Sequence, residues 1–219
     1  MKSLLRFGAL FLCATALAHA DLVVVEKVES TSVHGEVTVK IKGDRVRMDM
    51  DSARTGPTTM LIDVKSGNIT MLLRSKNLAV KTNVERLRAG TEARQKAAGI
   101  DLAKFEPKAT GQKEKVGAWD CEIFSGDLGG GNTGKLWVAK DFPGYEGIKG
   151  QVAKFRGVLT ALGVDPIKTD LGGMKIKSEI NWSAGQALSS LVSAKEEDVP
   201  ESDFAVPADY QEVAMPEAK

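Results

Sequence analysis

From Glu36 to Thr82 apolar and polar residues alternate so regularly that an antiparallel meander is the natural fold for the stretch. In its first run Val37, Val39 and Ile41 are apolar, while Glu36, Thr38, Lys40 and Lys42 are polar. Gly43-Asp44 follows as a two-residue turn that tolerates positive φ. That turn sets Lys42 opposite Arg45, Ile41 opposite Val46, Val39 opposite Met48 and Val37 opposite Met50, so turn chemistry and hydrophobic pattern specify one register. A second hairpin about Ser66-Gly67 places Val64 opposite Ile69, Ile62 opposite Met71 and Met60 opposite Leu73. Each apolar residue buried on this face is worth about 1.5–3 kcal/mol. Leu61 and Leu72 fall on the other face, which predicts a cover on that side too.

Residues 1–20 have the form of a secretory signal peptide. Lys2 and Arg6 precede a short apolar run from Phe7 to Ala18, and Ala18-His19-Ala20 is a small-x-small cleavage site. The run is too short to span a bilayer. Cys13 follows Leu12 inside that run, which does not suit lipidation. The expectation is cleavage after Ala20, a periplasmic protein that is neither a lipoprotein nor transmembrane, and a single domain over residues 21–219. Cleavage removes two cations and leaves 28 basic residues against 29 acidic ones, a balance that argues against nucleic acid as a partner. Cys121 is then the one cysteine left, so no internal disulfide forms and packing alone must hold the fold.

Leu22 to Val33 reads as a first strand, its Val23–Val25 run suited to cover on both faces. Asn83 is placed as the N-cap of a weakly amphipathic helix from Val84 to Ala98, marginal alone and suited to act as a flap. Strands resume from Lys108 to Phe124, broken at Gly117, and DLGGGN at Asp127–Asn132 is a hairpin loop before a strand from Leu136 to Lys140. The strongest helix runs from Glu146 to Leu162: Ile148, Val152, Phe155, Leu159 and Leu162 form one apolar stripe, with Gly163 as its cap and Asp165-Pro166 as its stop. Met174, Ile176, Ile180 and Trp182 alternate with polar residues in a further strand, which pairs with Ala187–Lys195 across Ser183-Ala184-Gly185. The expected fold class is α+β, mainly β: a strongly curved antiparallel sheet, an open half-barrel, with one or two helices packed on its concave face.

Four segments carry a family resemblance: the meander; Thr110-Gly111 with Val116-Gly117-Ala118-Trp119-Asp120-Cys121; Gly134-Lys135-Leu136-Trp137-Val138-Ala139; and Phe204-Ala205-Val206-Pro207-Ala208-Asp209-Tyr210. In this order they resemble an exported bacterial family of unknown function whose open half-barrel is similar to that of the periplasmic lipoprotein carriers. The resemblance implies a concave face able to hold an apolar ligand, partly lidded by helices. It implies no catalytic residues, and no ligand-contacting position of the carriers transfers.

The residues themselves offer little to catalysis. His34 is the one histidine after cleavage, so with Cys121 it cannot assemble a usual Cys/His metal site, and no nucleophile-elbow pattern is present. No cofactor is implied, and hydrolysis stays a distant reserve. His34 suits an exposed turn; Cys121, sharing a face with Trp119 and Ile123, suits a small buried hydrophobe. The glycines from Gly126 to Gly134 open no helix and so make no phosphate loop. Asp49 and Asp51 lack a glycine-punctuated calcium loop.

Two surfaces are candidates for binding. Met48, Met50, Met60 and Met71, with Ile62 and Leu73, line the inner face of the meander, and methionine suits an apolar surface that must adapt to its ligand. The competing reading makes them core beneath the Glu146–Leu162 helix. Lys40, Lys42, Arg45 and Arg47 on the other face suit anionic headgroups or an acidic partner, or else a solvated edge that resists aggregation. The function expected is non-catalytic binding of a lipid or other apolar ligand in the bacterial envelope, in touch with an envelope protein or a membrane surface. The alternative is an interaction or structural domain with a filled core and no small ligand.

Overall fold

The computed structural model describes residues 21–101, 105–162, 170–183 and 185–215. The expected signal peptide, the Gly163 cap and the Asp165-Pro166 stop lie outside them. Strands β1 (Leu22–Glu29), β2 (His34–Lys42), β3 (Arg45–Ser52), β4 (Gly56–Asp63), β5 (Asn68–Leu73) and β6 (Leu78–Asn83) precede helix α1 (Val84–Ala97). Strands β7 (Lys108–Val116), β8 (Trp119–Gly129) and β9 (Asn132–Ala139) lead to helix α2 (Tyr145–Ala161), and β10 (Met174–Trp182), β11 (Gly185–Glu196) and β12 (Gln211–Ala214) follow.

All twelve strands join one sheet in the order β12-β6-β5-β4-β3-β2-β1-β11-β10-β9-β8-β7. The first strand is thus central, between β2 and β11. No pairing joins β7 to β12 among the described residues, so the sheet is open. It wraps α2: the helix packs on a core from β1–β5 (Leu22, Val24, Val39, Ile41, Val46, Ile62, Ile69) and its beginning on a second from β8–β10 (Cys121, Ile123, Trp137, Met174, Ile176). One helix reaching both halves requires strong curvature, and the result is the α+β open half-barrel. The stripe of α2 does this work, with Ile148, Val158 and Leu162 buried and Val152, Phe155 and Leu159 packed beside them.

Helix α1 is anchored more lightly. Asn83 caps it by accepting a hydrogen bond from the Arg86 backbone N–H at 2.9 Å. None of its side chains is buried, and Val84 and Leu87 alone reach the core beneath α2. Beyond α1, Phe105 covers the outer face of β8–β9 with Phe124, Leu128, Leu136 and Val138. Gly126 and Gly134, directly opposite one another, leave the space that the Phe105 ring fills. Asn132, almost fully buried, locks this corner: its amide donates to Gly99 O (3.2 Å) and Gly129 O (2.8 Å), and its carbonyl accepts from the Ser183 N–H (3.1 Å).

The first hairpin has the expected register, paired from Lys42–Arg45 to Thr38–Asp49. The second does not. Ile62 pairs with Ile69, Met60 with Met71 and Thr58 with Leu73, two residues away from expectation but on the same faces. The Asp63 carboxylate accepts from the Ser66 N–H (2.7 Å), Asp63 O accepts from the Gly67 N–H (2.9 Å), and Val64 N–H donates to Asp44 O (2.8 Å). These bonds stabilise a wider turn and take Val64 out of the ladder. The alternation in β10 fails too. A register shift between Lys175 and Lys177 puts Met174 and Ile176 under α2, while Ile180 packs against the Phe105 cluster. Finally, the sheet is not wholly antiparallel, because β12 runs parallel to β6.

Candidate ligand pocket and the two faces of the meander

On the inner face the methionines form a row. Val39, Met48, Met60, Met71 and Val80 stand opposite one another in turn across β2–β6. Met48, Met60 and Ile62 are buried in the core beneath α2, and Met50 and Met71 are half-buried at its margin. Leu73 stands apart, half-buried opposite Thr58 and outside that core. The centre of the row is therefore packed on by the protein's own helix.

A pocket lies beside the row, under the same helix. Leu22 and Val24 of β1, Val152, Phe155 and Leu159 of α2, and Met174 of β10 give it apolar walls. Glu26, Arg156 and Lys175 complete the lining, with Lys175 and Glu26 paired at 3.5 Å. Its envelope takes in about 460 Å³, counting space open to solvent, yet the part that the centre of a water molecule can reach is about 30 Å³. That is room for roughly two waters. Apolar walls with a few converging polar groups are the usual make-up of small-molecule sites. The α2 stripe was legible in the sequence, but β1 and β10 lie far apart along the chain and no local pattern brings them together.

The outer face is covered. Leu61, Leu72 and Ala79 are buried beneath Val206 and Tyr210, the cover that the outward leucines predicted. Each of the four cations has a carboxylate partner. Lys40 pairs with Asp203 (2.7 Å), Lys42 with Asp21 (2.7 Å), Arg45 with Glu201 (2.6 Å) and Arg47 with Asp49 through Nε (2.7 Å). Lys42 also donates to Val199 O (2.8 Å), Arg47 to Asp203 O (2.8 Å), and Arg45 lies over the Phe204 ring at 4.8 Å. Three of these carboxylates come from distant segments, which is why the hairpin alone reads as bare cations. Burial pushes the Asp49 carboxyl up, but hydrogen bonds from Arg47 and Thr59 outweigh it and hold the group below the ordinary carboxylate range.

His34 is exposed at the start of β2. Cys121 is fully buried, and burial pushes its thiol up, away from the reactive thiolate. Among the described residues no group of three or more His, Cys, Asp and Glu side chains is placed to hold a metal ion. Nor is any helix there long and apolar enough to cross a membrane.

An open sheet gripping one long helix, with an apolar pocket between them, defines the class as an open half-barrel. Within that class the chain belongs to the family described as a domain of unknown function, DUF4412, whose model matches residues 23–210. No curated protein matches it. Its fold is similar to that of an uncharacterized conserved protein from Thermus thermophilus, at 9% identity and a TM-score of 0.53, covering 90% of this chain and 92% of that one. LprF from Mycobacterium bovis (10% identity, 88% and 90% covered, TM-score 0.40) is similar more loosely. So is a putative outer membrane lipoprotein-sorting protein domain from Vibrio parahaemolyticus (12% identity, 86% and 90% covered, TM-score 0.35).

Proposed function

We propose that this is an exported, non-catalytic binding protein of the bacterial envelope that holds a lipid or other apolar ligand between α2 and the sheet. In this reading residues 1–20 are removed and residues 21–219 act as one periplasmic domain. The pocket carries the proposal: its walls from Leu22, Val24, Val152, Phe155, Leu159 and Met174 are apolar, while Glu26, Arg156 and Lys175 can receive a polar end. The methionine row is the surface that an acyl chain would follow once α2 lifts, because it continues from the pocket under the same helix.

A second reading has its own observation. Met48 and Met60 are already buried by α2, as in a filled core that needs no ligand. Detergent-free protein from the periplasm, extracted with organic solvent, separates the two by mass spectrometry of the extract. The expected result is stoichiometric phospholipid or fatty acid from the native protein, and none from a sample denatured and washed before extraction. A clean extract from monodisperse native protein would leave the filled-core interaction domain as the better account.

A further inference from the structure

Residues 198–215 form a strap across the outer face of β2–β6, and its fit there is that of a bound peptide. The face invites such an occupant. Lys40 stands directly opposite Arg47, and Lys42 opposite Arg45, so the bare hairpin opposes like charges and is stabilised by any anionic cover. Along the strap, Val199 O accepts from Lys42, Glu201 pairs with Arg45, Asp203 pairs with Lys40, and Phe204 lies under the Arg45 guanidinium. Val206 and Tyr210 then fill the apolar patch of Leu61, Leu72 and Ala79. The strap ends as a strand on the β6 edge, with Gln211 N–H bonded to Asn77 O and Met215 N–H to Lys81 O, both at 2.9 Å. Charge matching, an apolar slot and strand addition are the standard means of recognising an extended peptide.

The strap is held unevenly: Val199 is almost fully buried with its N–H bonded to Asp21 (3.0 Å) and the Lys40–Asp203 pair is largely covered, whereas Glu201 and the β12 end are looser. Arg45 and Glu201 keep 39% and 66% of their side-chain surface exposed, so this pair is weak and salt-screened. β12 is four residues long, all exposed except Val213, which is half-buried. We propose that the outer face of β2–β6 is a docking groove for an extended acidic segment of a partner protein. That segment carries two carboxylates close to an aromatic residue and continues as a strand. Residues 198–215 occupy the groove in cis as its intramolecular competitor. A tethered competitor acts at an effective concentration of roughly millimolar, so the groove opens to a partner whose segment fits it better than the strap. This site lies on the opposite side of the sheet from the apolar pocket and does not depend on it.

The test uses the full chain carrying E201Q and D203N, with a fluorescent peptide of residues 198–215 as probe and a scrambled peptide as control. Hydrogen exchange of the amides from Gln211 to Met215 reports whether the strap is loosened. The expected result is faster exchange and peptide binding at least tenfold tighter than to the parent protein. That binding should weaken with salt and be lost when K40E and R45E are added. Unchanged exchange overturns the ionic latch. Faster exchange with no binding beyond the scrambled peptide overturns the groove. Binding of the loosened protein to phosphatidylglycerol vesicles, with the peptide unable to compete, overturns it in favour of a membrane surface.

Discussion

Two single residues show how narrowly the outer face is specified. Gly134 lies in a strand, where glycine ordinarily weakens the sheet. A Cβ there would meet the Phe105 ring at 2.7 Å, so the missing side chain is what lets Phe105 seat. Gly134→Ala is expected to destabilise by about 1–3 kcal/mol, the usual range for overpacking. In a double-mutant cycle with Phe105→Ala, the two losses should be strongly non-additive in denaturant melts; simple additivity would mean that the clash is relieved elsewhere. Asp49 makes the electrostatic case. Its folded carboxyl lies below the ordinary range, so it contributes stability above about pH 4, and that contribution is lost as pH falls through the depressed folded value. Asp49→Asn should therefore lower stability near pH 7 and flatten the acid side of the stability curve below about pH 5. A variant whose acid limb runs parallel to that of the parent would show that other carboxylates govern it.

At the scale of elements, what was legible in the sequence divides by the range of the interaction that decides it. The first hairpin, the capped start of α1 at Asn83 and the stripe of α2 are written in residues a few positions apart, and they form as read. The second hairpin was misplaced because one carboxylate, Asp63, organises a wider turn than Ser66-Gly67 alone suggests. β12 left no signal: Gln211–Ala214 is short, mostly exposed, and a strand solely because β6 offers an edge. The pocket was invisible for a like reason, its walls coming from β1, α2 and β10. The methionines share the face that packs beneath α2, and α2 decides its use. Replacing Met48 and Met60 with Ala should cost about 2–5 kcal/mol each, as for buried core. Replacing the half-buried Met50 and Met71 should cost less than half as much while weakening uptake of a fluorescent fatty acid. Equal stability losses in both pairs, with uptake untouched, would assign the whole row to the core.

For the molecule as a whole the decisive question is how a ligand passes beneath α2. The pocket has room for roughly two waters, so a half-barrel that binds an acyl chain there does so by letting the helix lift. One visible restraint on that movement is Lys154 of α2, which donates to Gly43 O (2.5 Å) and Asp44 Oδ1 (2.8 Å) at the turn between β2 and β3. The side chains are partly exposed, so the tether is worth up to about 1 kcal/mol. Lys154→Ala should therefore raise the population of the lifted state by at most about fivefold. If the ligand enters and leaves only through that state, association and dissociation speed up together and Kd scarcely moves. Stopped-flow measurement with a fluorescent fatty acid distinguishes this from a site open at rest, where loss of the tether changes neither rate. A rise in dissociation alone would mean that Lys154 holds the ligand itself, and the helix would then be a wall of the site and not its gate.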